Sequence, residues 1–147
     1  MPQIDWKKEA ENSIPERTLF PEGTYKFRVV SWERVTAKSG TPQIRWKLEI
    51  VEPDEYRGKS ILEHTAITDK ALWKVAKLVA ACRVDTSACG IMDVTGSAFD
   101  RILTACKERT LYGRLIIDRR QGVERNNIVD YKEDEDRPIV VPEGDSW

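Results

Sequence analysis

The 147 residues carry 24 lysines and arginines against 25 aspartates and glutamates, for a formal net charge of −1, and 40% of them are hydrophobic. That suffices for one domain with its own core plus loose ends, with no metal or disulfide staple required. No apolar run is long enough to span a bilayer, and Met1 to Trp6 lacks a signal-peptide pattern, so a cytoplasmic protein is expected.

Residues 1–21 contain Pro2, Pro15 and Pro21, many charges and no steady apolar period. They read as a flexible arm, with Trp6 and Phe20 as candidate anchors. Gly23 opens a strand over 24–35, with Tyr25, Phe27 and Val29 on one face and Lys26 and Arg28 on the other. Val30 and Trp32 continue the Lys26 face if the strand is regular; a bulge at Val29 or Val30 reverses that assignment. The polar turn 37–42, with Gly40 and Pro42, leads into residues 43–51, the cleanest alternation in the chain. There Ile44, Trp46, Leu48 and Ile50 form one face, and Arg45, Lys47 and Glu49 the other. The two strands make a hairpin.

A turn over 53–58 precedes a third strand, 59–68. Thr68 or Asp69 then caps a helix from about Lys70. Its apolar stripe is Leu72, Val75, Ala76, Val79 and Cys82, with Lys70, Lys74 and Lys77 on the wet side and Trp73 packing the helix onto the body. A second helix over 96–108 buries Phe99, Ile102, Leu103 and Cys106. Residues 111–118 form a fourth strand, 119–125 a charged loop and 127–131 a fifth strand. Cys82, Cys89 and Cys106, irregularly spaced beside the lone His64, are expected as reduced, mostly buried thiols, with no metal and no cofactor.

The overall expectation is a mainly β domain with two short helices over residues 22–131, flanked by the arm and by an acidic, disordered tail over 132–147. Five strands with a helical segment after the third is the plan of an OB-fold, a five-stranded Greek-key barrel; a generic α+β sheet is the alternative. Charge divides along the same boundary. The tail holds six acidic and two basic residues, and the rest of the chain 22 basic and 19 acidic, a body of +3.

Four short pieces carry a resemblance: Pro21-Glu22-Gly23-Thr24-Tyr25-Lys26-Phe27-Arg28-Val29, Lys38-Ser39-Gly40-Thr41-Pro42, the strand ending Glu49-Ile50, and Tyr56-Arg57-Gly58-Lys59. In this order, followed by the helix bearing Trp73, they resemble bacteriophage single-stranded DNA-binding proteins with an OB-fold. The resemblance spans residues 20–131. It implies work in phage DNA replication or recombination, in the host bacterial cytoplasm.

Single-strand binders need cations that follow phosphates and aromatic faces that stack on bases. The candidates are Lys26, Arg28, Arg45 and Lys47 with Trp32 on one sheet face. They are joined by Arg119, Arg120 and Arg125, with Asn126 and Asn127, at the loop before the last strand, and by Arg57 and Lys59. An ordinary solvated sheet face has similar residues. Trp46, Tyr25 and Phe27 share the phase of the core. In the tail, Asp134, Glu135, Asp136, Asp145 and Trp147 suit either competition with DNA for the basic surface or docking on a replication or recombination protein. No phosphate loop, paired histidines or nucleophile elbow is present, so a non-enzymatic binder is expected. The alternative is a phage adaptor working through its tail and arm. Sheet edges and the arm leave room for a homodimer.

Overall fold

A computed structural model describes Gln3, Asp5, residues 19–119 and residues 122–142. The order is β1 (Gly23–Thr36), β2 (Pro42–Glu52), a 3-10 turn (Asp54–Tyr56), β3 (Ser60–Ala66), α1 (Leu72–Ala81), α2 (Ser97–Ala105), β4 (Thr110–Asp118) and β5 (Arg125–Glu133). The five strands form one antiparallel sheet in the order β3-β2-β1-β4-β5. Among the described residues no helix is long and apolar enough to cross a membrane.

Alternation along β2 does what its sequence dictates. Ile44, Trp46, Leu48 and Ile50 are fully buried, and Arg45, Lys47 and Glu49 point outward. Tyr25, Phe27 and Val29 complete that inner layer from β1. Val75, Leu78 and Val79 of α1 and Phe99, Ile102 and Leu103 of α2 cover it. Cys82 and Cys106 are buried free thiols in this core, and Cys89 is half-buried.

The first strand departs from regularity at Val30. Val29 pairs with Leu48, but Ser31 pairs with Lys47 and Trp32 with Trp46. One extra residue turns every later side chain over. Trp32 therefore shares the face of Trp46, and its indole N–H donates to Thr104 of α2 at 3.2 Å. This corrects the placement of Trp32 beside Lys26 and Arg28. Arg34, two residues on, reaches Asp100 and the Val94 carbonyl on the same side.

Several boundaries also move, among them the end of α2, which stops at Ala105. β3 ends at Ala66, and the turn Thr68–Ala71 delays α1 to Leu72, with no side chain capping it. β5 starts two residues early and continues to Glu133.

The sheet is open. β3 and β5 are its edges, and no ladder joins them. What links them is a side chain: the Ile128 N–H donates to Glu63 Oε2 at 3.3 Å. α1 packs against both strands beside this seam.

Residues 134–142 are seated on the body, in contrast to the disordered tail expected there. Asp134 is 2% exposed. Its carboxylate accepts from Thr110 Oγ1 at 2.6 Å and lies 3.2 Å from Lys26 Nζ. Val140 then bridges Val84, exchanging backbone bonds with Arg83 and Asp85. The Arg109 guanidinium donates to the Pro138 carbonyl.

Gly113 sits where β4 crosses the Phe27 ring. A Cβ there would meet Phe27 Cε2 at 2.9 Å and Ile128 Cγ2 at 3.2 Å. Gly113→Ala is expected to cost about 2 kcal/mol through overpacking, read as a lower denaturation midpoint with an unchanged m-value. Unchanged stability would mean that the ring moves aside freely.

Candidate nucleic-acid interface

A concavity of about 1200 Å3 lies on the outer surface of β2 and β3. One wall is Lys38, from the β1–β2 turn, where Gly40 adopts φ +88° and its N–H closes onto the Ala37 carbonyl. The floor is Gln43, Leu62 and His64. The opposite wall is Asp118 and residues 122–127 of the β4–β5 connection.

Register places two more cations beside this floor. Arg45 stands opposite His64, and Lys47 opposite Leu62. Arg45 is ion-paired with Glu33. Neither Lys47 nor Arg125 has an ion pair among the described residues, and both are exposed. Arg119 lies 3.5 Å from Glu124 within the connecting loop. Partial burial, together with Arg45 and Arg125, pushes the His64 imidazole below its ordinary 6.5, so the ring is neutral at pH 7.

Of the residues expected at a binding surface, Arg45, Lys47, Arg119 and Arg125 therefore gather at or beside one groove. Lys26 and Arg28 do not. Lys26 is held by Asp134, and Arg28 by Glu49 at 2.7 Å and by Glu108. Their charge is used within the fold. Arg57 and Lys59 lie at the β2–β3 turn, the end of β2 remote from Gln43. Trp32 faces α2. Arg120, Asp145 and Trp147 lie outside the described residues.

Asn126 and Asn127 serve structure. The Asn126 side chain accepts from the Phe20 N–H at 2.8 Å and donates to the Phe20 carbonyl at 2.9 Å, a two-point match to a backbone segment. Asn127 donates to Asp118. The acidic run is carried away from the groove. β5 spans nine residues from Arg125, about 30 Å of extended chain before Asp134. Of the expected tail contacts, Glu135 and Asp136 are exposed there, while Asp134 is buried.

Sequence reading passed over Lys38, Leu62 and the position of His64. For Leu62 and His64 the signal was the parity of β3 against β2, which has meaning only once the register is known; Lys38 reaches the groove from the β1–β2 turn.

A family model described as a protein of unknown function, DUF669, matches residues 7–110. The chain belongs to this family. The DUF669 match takes in β1, β2, β3 and both helices. It ends at the first residue of β4, so the floor and the Lys38 wall lie inside it and the β4–β5 wall beyond it. No curated protein matches the chain.

Glu63 stands at the inner edge of the groove, directly opposite Trp46 in register. Burial raises its carboxyl from the ordinary 4.5 to about 7, against the opposing pull of the Ile128 N–H and Lys74. The folded value exceeds the unfolded one, so this group's contribution to stability is greatest below about pH 4.5 and is lost as pH rises to about 7. Glu63→Gln removes that titration. The stability of Glu63→Gln relative to the native protein is expected to rise between pH 5 and pH 8, by on the order of 3 kcal/mol, in urea denaturation at each pH. A difference that stays flat across that range would place the Glu63 carboxyl at its ordinary value.

Proposed function

We propose that this protein is a sequence-tolerant single-stranded DNA-binding protein, non-enzymatic and cytoplasmic, serving phage replication or recombination. The observation that carries the reading is the groove itself: Lys38 and Arg125 line it together with Glu63, Asp118 and Glu124, and Arg45 and Lys47 stand beside its floor of Gln43, Leu62 and a neutral His64 ring. Cations attract a phosphate backbone whatever its sequence, and the Leu62 side chain and the π-face of His64 accept unpaired bases.

The strand order supports an OB-type reading of the fold. In an OB-fold the β3 and β5 edges meet, and oligonucleotides lie on the β2–β3 face between the loops that follow β1 and β4. Here those edges approach through Glu63 and Ile128, and the groove occupies that face between those loops. The resemblance of residues 20–131 to phage single-strand binders points the same way.

The test is a titration with poly-dT, poly-rU and duplex DNA side by side. The single strands are expected to bind more tightly than the duplex, with affinity falling steeply as salt rises. Duplex binding as tight as that of poly-dT at low salt would end the reading. The second reading, a phage adaptor, draws on the ion pairing of Lys26, Arg28 and Arg45, which reduces the free positive charge of the sheet. It predicts partner capture that survives Lys47→Glu.

A further inference from the structure

Among the described residues the groove has cations and a floor but no tryptophan, tyrosine or phenylalanine in its lining. Among the described residues, one such ring is exposed: Trp73, at 55%, on α1. It lies on the far side of the helix from Val75, Leu78 and Cys82, which are buried, so it does not serve the core.

Its surroundings are cationic and lead back to the groove. Lys74 Nζ lies 5.7 Å from the Trp73 ring centroid. The same lysine acts electrostatically on Glu63, which lines the groove. α1 packs against β3 and β5 at the seam. Lys70 is exposed just before the helix and has no ion pair among the described residues. A single exposed apolar side chain is ordinary by itself; what singles out Trp73 is a large π-face beside Lys74, on the helix that packs against the two strands of the seam. Beside lysines and next to a groove flanked by Lys38, Lys47 and Arg125, the use with matching chemistry is stacking on a base.

We propose that Trp73, flanked by Lys70 and Lys74, is the base-stacking end of a single-strand path that starts in the β2–β3 groove, crosses the β3–β5 seam and ends on α1. The inference rests on the single-strand reading above and adds a second stretch of contact to it. A strand short enough to fill the groove does not reach Trp73, whereas a longer strand does.

The experiment titrates the full chain, Trp73→Ala and Trp73→Phe with dT oligonucleotides of about 4 and about 15 nucleotides, the span of site sizes for one such domain. Trp73→Ala is expected to lose about tenfold in affinity for the long oligonucleotide and nothing for the short one. Trp73→Phe keeps most of the affinity but loses much of the fluorescence quenching on binding. Equal loss for both lengths, or the same loss in Trp73→Phe as in Trp73→Ala, would mark a structural role and overturn the inference. No loss for the long strand would leave the groove reading intact and remove Trp73 from the path. A change in self-association on size-exclusion chromatography would then assign the indole to a protein contact. If the native chain binds neither oligonucleotide, the groove reading falls and the path falls with it.

Discussion

Charge reversal at Lys47 and Arg125 together, Lys47→Glu with Arg125→Glu, is expected to lower dT oligonucleotide affinity about a hundredfold at 50 mM salt. Each phosphate contact on a single strand releases about 0.7 of a counterion, which is worth nearly a decade in affinity at that salt. Two contacts removed give about two decades, and the slope of log affinity against log salt becomes shallower by about 1.4. Both side chains are exposed and without ion pairs among the described residues, so the fold should tolerate the change. Arg57→Glu with Lys59→Glu is the matched control, because it alters net charge equally at the far end of β2. If that control loses as much affinity as the groove pair, attraction is general and the groove is not the site.

Asp134→Ala is expected to cost about 3 kcal/mol. The carboxylate is buried, accepts from Thr110 and from the Asp136 N–H, and neutralises Lys26. Its removal leaves a half-buried ammonium and a buried hydroxyl without their partner, and a stranded charge costs more than a lost contact. Burial raises the Asp134 pKa, but the hydrogen bonds from Thr110 and Asp136 and the Lys26 charge outweigh it, so the net shift is downward. The stabilisation is therefore full above the ordinary carboxylate value of 3.8 and is lost as pH falls through the lower folded value. The gap between native and Asp134→Ala stability should narrow only in acid. Hydrogen exchange at Val140, whose N–H bonds the Arg83 carbonyl, should accelerate in the variant if Asp134 holds the start of this strap. Native-like stability and exchange would mean that residues 134–142 lie on the body without contributing to it.

The alternation of Ile44, Trp46, Leu48 and Ile50 was legible because a period of two has one structural meaning when one face is buried. The bulge at Val30 was not, since nothing in Val29-Val30-Ser31 distinguishes a regular strand from one with an extra residue. The choice is made by pairing with Leu48 and Lys47. Trp32 changed faces for that reason alone. Composition misread Asp134: an acidic run looks solvated, and the lysine that claims this carboxylate lies 108 positions earlier in the chain. Trp73 is a different case. At about 100° per residue it falls roughly opposite Val75, Leu78 and Cys82, so its exposure was already in the helical phase. The groove was legible only in part. Arg45 and Lys47 stood on a recognisable face, whereas Lys38, Leu62 and His64 join them through a strand register and a loop approach that local sequence does not encode.

Amide chemical-shift mapping during titration with a dT oligonucleotide tests the central claim most directly. The account predicts the largest shifts at residues 38–47, 62–65 and 118–127, with smaller ones reaching α1. Shifts confined to Lys26, Tyr112 and Lys132 on the opposite strands, or no shifts at millimolar oligonucleotide in low salt, would contradict it.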